Sequence, residues 1–146
     1  MTLTPPTLRL SQQQYREILG HCYDGLPDEA CGLLAGPVAG DGEPLGTVAR
    51  VYPCRNAEAS ARTYTIDSRD MGPAMGDAHR HGFELIGCWH SHTHTDAYPS
   101  PTDVRLAAYP EWVYVIVSLK PDGDPTLRSY RIRADEIAET PVVLGS

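Results

Sequence analysis

Apolar residues along the chain follow two rhythms, one near 3.6 residues and one of two, interrupted by a few unbroken apolar runs. Tyr15, Ile18, Leu19 and Cys22 fall at i, i+3, i+4 and i+7, which lays one apolar stripe along a helix. Ser11, with Gln14 three residues on, forms a capping box that starts this helix after a short strand in "TLRL" at 7–10, and "DGLPDE" stops it. "ACGLLAGPV" at 30–38 is continuously apolar between Pro27 and the Gly36-Pro37 pair, and predicts a buried strand. "AGDGEPLG" supplies the turn into a second strand at 47–53, so a hairpin is expected.

Further on, "TYTID" at 63–67 alternates as a short strand does, and Asp67 or Ser68 caps a helix through "RDMGPAMGDAHRHG", with Gly72 and Pro73 lying inside it. "ELIGCWHSH" at 84–92 predicts a strand and "PTDVRLAAY" at 101–109 a short helix ended by Pro110. "WVYVIVSL" at 112–119 predicts a buried strand, and "TLRSYRI" at 126–132 another across the "PDGDP" turn. Mixed strands and three helices around one sheet predict a three-layer α/β/α arrangement. At 146 residues, with no internal repeat or linker, the chain is expected to be one domain.

Composition narrows the function classes. The net charge is −7 and the basic residues are scattered, so the electrostatic footprint of a nucleic-acid binder is missing. No apolar run approaches the length of a membrane span, and "MTLTPPTLRL" lacks a basic segment leading into an apolar stretch, so a cytoplasmic protein is expected. Cys22, Cys31, Cys54 and Cys88 form no C-x-x-C pair and read as reduced, buried thiols.

The candidate chemistry lies in "HSHTHTDAYPSPTD" at 90–103. If the preceding strand runs through it, His90 and His92 project from the same face. A catalytic zinc takes three His or carboxylate ligands and keeps a fourth position open. Asp103 is the natural third, because "SPTD" has the form of a helix start with Ser100 at the cap and Pro101 at the first turn. Ser100 and Asp103 are equally what a plain capping box requires. Capping alone, however, does not call for two histidines at spacing two just upstream, and H-x-H-x7-S-x-x-D arises by shuffling this composition in roughly one sequence in a thousand. His21, His79 and His81 sit on predicted helices and receive no role; His94 and Asp96 lie in the intervening loop, and Cys88 shares the strand parity of His90 and His92. Metal-assisted hydrolysis also needs a general base. Glu29 in "PDEACGLLAG" is the candidate, an acid at the mouth of a very apolar strand, with its neighbour Asp28 as rival.

Together, "PDEACGLLAG" and "HSHTHTDAYPSPTD" resemble the two signature segments of the JAMM (MPN-plus) metallopeptidases, over roughly residues 7–133. The resemblance implies a cytidine-deaminase-like core, a twisted mixed sheet between helices. It implies one zinc ion held by His90, His92 and Asp103, Glu29 as general acid/base, and Ser100 as a donor to the tetrahedral oxyanion. Thr93 departs from the family's usual proline after the second histidine, and Gly72-Pro73 is unusual in the middle helix. "HSHTHTDAYPSPTDV" and "LRSYRI" are closer to the small bacterial enzymes that cleave cysteine from a ubiquitin-like sulfur-carrier protein, after its C-terminal Gly-Gly. An extended Gly-Gly tail suits strand addition in a narrow groove. Two alternatives stand beside this expectation: an isopeptidase that removes ubiquitin-like modifiers from lysine, and a metal-free interaction module, against which the complete ligand set argues. The sequence leaves open whether iron or manganese replaces zinc, whether the chain forms a homodimer, and whether the loop at 93–98 moves.

Overall fold

The computed structural model describes residues 6–121 and 123–145, so the amino-terminal residues 1–5 and Asp122 of the "PDGDP" turn lie outside the described residues. The elements run β1 Leu8–Ser11, α1 Gln12–Asp24, β2 Cys31–Gly36, β3 Arg50–Cys54, α2 Ser68–Arg80, β4 Glu84–His92, α3 Pro101–Leu106, β5 Val113–Ser118, β6 Thr126–Arg133, β7 Glu136–Thr140 and β8 Val142–Gly145. A six-stranded mixed sheet has the order β3-β2-β4-β5-β6-β7, and β1 pairs with β8 in a separate parallel pair. Within the large sheet only β4 and β5 run parallel. Among the described residues no helix is long and apolar enough to cross a membrane.

Alternation along the strands splits the core into two layers. On one face Ile18 and Cys22 of α1 pack with Leu8, Leu34, Trp89 and Val115; on the other, Ala74 of α2 and Val104 of α3 join Leu33, Cys88, Tyr114 and Ile116. This is the predicted three-layer α/β/α arrangement, with β1 and β8 added to the α1 side. The capping box is present as read: Ser11 Oγ accepts from Gln14 N–H at 3.0 Å, and Gln14 Oε1 accepts from Ser11 N–H at 2.9 Å. Helix α2 runs on through Pro73, which with Gly72 faces solvent, where a missing amide donor is least costly.

Three readings need correction. "TYTID" forms no strand; only an isolated bridge joins Asn56 to Ile66. Helix α3 ends at Leu106, because Ala107 turns extended. Strands β7 and β8 were absent from the sequence-based reading.

Gly32 on β2 sets the closeness of the central strands. A Cβ there would lie 2.2 Å from the Trp89 ring, so only glycine lets β4 carry Trp89 directly opposite. That pairing fixes Cys31 against His90 and brings the residues before β2 alongside the end of β4.

Candidate active site

Strand β4 lies between β2 and β5, and its even-numbered residues Cys88, His90 and His92 face the α2–α3 layer. His90 and His92 are both buried. After His92 the chain loops out and returns at α3, where Ser100 caps the helix and Pro101 opens it. Main-chain carbonyls pin the loop: Asp96 O accepts from His92 Nδ1 at 2.8 Å, Thr95 O from the Ser118 hydroxyl, and Ala97 O from the Tyr130 hydroxyl.

This return brings three donor atoms to one point. His90 Nε2 and His92 Nε2 are 3.2 Å apart, and Asp103 Oδ2 lies 3.2 and 3.1 Å from them. A tetrahedral ion with bonds of about 2.0–2.1 Å spaces its ligands roughly 3.3–3.4 Å apart, so the triangle is close to a ready-made set of three ligands. The tautomer of His92 agrees, because donation from Nδ1 to the Asp96 carbonyl leaves the Nε2 lone pair free. Burial lowers the pKa of His90 and keeps it neutral. Burial alone would raise the pKa of Asp103, but the imidazoles of His90 and His92 beside it outweigh burial and hold the carboxyl ionised, well below its usual range. Among the described residues this is the one group of three or more His, Cys, Asp and Glu side chains close enough to hold a metal ion.

The capping reading of Asp103 is fulfilled, and the same carboxylate oxygen faces both histidines. Oδ2 accepts from Ser100 N–H at 2.9 Å while it faces the histidines, and Ser100 Oγ accepts from Asp103 N–H at 3.0 Å. Accepting leaves the Ser100 O–H hydrogen available as a donor.

Glu29 is buried just before β2, whereas Asp28 is half-buried. Its main chain is held on both sides: Glu29 N–H donates to Ser60 O at 2.7 Å, and Ala30 N–H to Ser91 Oγ at 2.9 Å. Its Oε1 is buried without a hydrogen-bond partner among the described residues. Burial pushes its pKa up from 4.5 to about 7, against the pull of the nearby His92. A carboxyl in this state gains and gives up a proton near neutrality.

Of the remaining candidates, His94 is exposed and its Nδ1 meets Thr93 Oγ1 at 2.8 Å. The Asp96 side chain pairs with Lys120 at 3.0 Å in solvent, so its contribution to the site is the carbonyl that holds His92. Cys88 is buried in the wall of an apolar cavity of about 300 Å³ beside Asp103, with Tyr64, Leu106, Trp112 and Tyr114. His21 contacts Cys54 O, His79 pairs with Glu84, and His81 bonds Asp77 O, none of them in the cluster. Tyr64, which sequence reasoning placed on a strand, stacks on the His90 ring with centroids 4.2 Å apart.

A family model described as prokaryotic homologs of the JAB domain matches residues 11–133. The chain is 41% identical over 128 residues to the CysO-cysteine peptidase of Mycobacterium tuberculosis, an alignment that spans 86% of this chain and 82% of that protein. It is 31% identical over 147 residues to the desampylase of Haloferax volcanii, covering 97% of this chain and 99% of the relative. The solution structure of a protein from Desulfitobacterium hafniense superposes with a TM-score of 0.84 at 37% identity, over 95% of this chain and 93% of that one.

Proposed function

Because the chain belongs to the prokaryotic homologs of the JAB domain, we propose that it is a zinc peptidase that cuts after the C-terminal Gly-Gly of a small ubiquitin-like sulfur-carrier protein and releases cysteine from the carrier–cysteine adduct. One observation carries the reading: two imidazole nitrogens and a carboxylate oxygen meet within 3.2 Å, and a buried, unpartnered Glu29 carboxyl lies in electrostatic reach of them. The similarity to a CysO-cysteine peptidase supports cysteine as the leaving group.

His90, His92 and Asp103 would hold one zinc ion per chain, and when bound it would supply Lewis acidity for the scissile carbonyl and for a water that deprotonates near neutral pH. Glu29 takes the proton of the attacking water and hands it to the departing cysteine nitrogen; burial, which favours its protonated form, suits the carboxyl to hold the proton between the two transfers. The C–N bond after Gly-Gly breaks, and the water oxygen ends in the new carboxylate of the carrier. Ser100 donates its O–H hydrogen to the carbonyl oxygen as negative charge builds there, a contribution of roughly 3–4 kcal/mol to the barrier.

The test is mass spectrometry of a carrier ending in Gly-Gly-Cys after incubation with native protein, chelator-treated protein and Glu29→Gln. Native protein alone is expected to remove one cysteine. The 31% identity to a desampylase across nearly the whole chain favours a second reading, release of modifiers from lysine. Cleavage of a Gly-Gly-ε-lysyl conjugate with the cysteine adduct left whole would transfer the assignment to it, and cleavage of neither would end both.

A further inference from the structure

The segment 55–67 passes beside the site without a helix or strand of its own. One side chain gives it shape. Asn56 Nδ2 donates to Glu29 O at 2.9 Å and to Thr63 O at 3.0 Å, while Oδ1 accepts from Glu58 N–H at 3.0 Å and Thr65 N–H at 3.1 Å. A carboxamide has two donor hydrogens and two lone pairs, so every valence of this one is spent. Two of the four bonds grip the residues on either side of Tyr64, and Tyr64 is the ring that stacks on His90. A third holds the carbonyl of Glu29.

His90 depends on that ring. A ligating histidine is ordinarily oriented by a hydrogen bond from its second nitrogen, as His92 is by the Asp96 carbonyl. Among the described residues the Nδ1 of His90 is buried with no partner, so on that side of the ring packing against Tyr64, with centroids 4.2 Å apart and planes 19° apart, takes the place of a hydrogen bond.

We propose that Asn56 is the positioning residue of this site: its carboxamide joins the main chain of Glu29 to the peptides that carry Tyr64, so the proton-transfer group and the His90 ring are held in one frame. The inference rests on the metal-centre reading above and adds to it a residue that touches neither metal nor substrate.

Three measurements test it on the full chain. In metal-free protein, the His90 ring protons are expected upfield in the NMR spectrum, under the Tyr64 ring, and Asn56→Ala is expected to move them toward ordinary histidine positions. Zinc affinity, read by competition with a chelator, is expected to fall roughly 10- to 100-fold, the usual cost of losing support behind a ligand. Tyr64→Leu is expected to reproduce that loss and Tyr64→Phe, which keeps the ring, to bind as wild type; Asn56→Ala together with Tyr64→Leu should lose little more than either alone. A folded Asn56→Ala protein with wild-type His90 resonances and zinc affinity overturns the proposal. So does Tyr64→Phe binding zinc as poorly as Tyr64→Leu, a comparison that stands even if Asn56→Ala does not fold. The NMR comparison needs neither zinc nor hydrolysis, so it judges Asn56 separately from the assigned reaction.

Discussion

Glu29→Gln should abolish hydrolysis and yet make the metal-free protein more stable at pH 8. The side chain is buried and its Oε1 has no hydrogen-bond partner, so the folded state penalises the charged form. Raising a carboxyl pKa from 4.5 to about 7 corresponds to about 3 kcal/mol, at roughly 1.4 kcal/mol per tenfold in proton affinity. The sign follows from proton counting. Between pH 4.5 and 7 the folded chain keeps a proton on Glu29 that the unfolded chain has released. Stability from this group is therefore present below the unfolded value and is lost as pH rises through that window. Glutamine carries no such charge. Urea unfolding of chelator-treated wild type and Glu29→Gln at pH 5 and pH 8 should give similar midpoints at pH 5 and a variant more stable by about 2–3 kcal/mol at pH 8. Adding zinc should narrow the gap, because a cation in the cluster stabilises the ionised carboxylate. A variant no more stable than wild type at pH 8 would show that Glu29 is solvated, and would remove the physical basis for its role as the base.

Other perturbations separate the remaining contributions. Gly32→Ala should cost about 1–3 kcal/mol in thermal unfolding, because the new methyl would lie 2.2 Å from Trp89; unchanged stability would mean that the indole moves aside freely. Ser100→Gly should lose only a few tenths of a kcal/mol of cap stability but lower kcat roughly 10²- to 10³-fold, and a near-normal kcat would confine Ser100 to capping. Chelator should lower the melting temperature of wild type but leave that of Asp103→Ala nearly unchanged; equal chelator sensitivity in both would place the stabilising ion elsewhere.

Much of the fold was legible because periodicity and end signals agreed, as at α1, where the Ser11–Gln14 box and the Ile18–Cys22 stripe are both realised. The histidine pair was legible for the same reason: strand parity alone puts His90 and His92 on one face. What escaped was set by contacts distant in sequence. Thr63-Tyr64-Thr65-Ile66 alternates like a strand, but its shape comes from the Asn56 side chain and from the fit of Tyr64 against His90. Strand β7 lies at the edge of the sheet and is largely exposed, so it has little apolar pattern to read. Strand β8 exists only because β1 supplies its partner from the other end of the described chain. At Asp103 the sequence offered capping and ligation as rivals, and one oxygen caps the helix while it faces both histidines, so the two roles are compatible.

The pinned loop between His92 and Ser100 acts as a measuring rod. Its fixed points are the carbonyls of Thr95, Asp96 and Ala97, held by Ser118, His92 and Tyr130, so the fold specifies there a count of peptide units. Removing or adding one residue would shift the following chain by roughly 3.5 Å, more than the 3.1–3.2 Å that separates Asp103 from the histidines. The length of this stretch therefore governs whether the carboxylate meets the imidazoles at all.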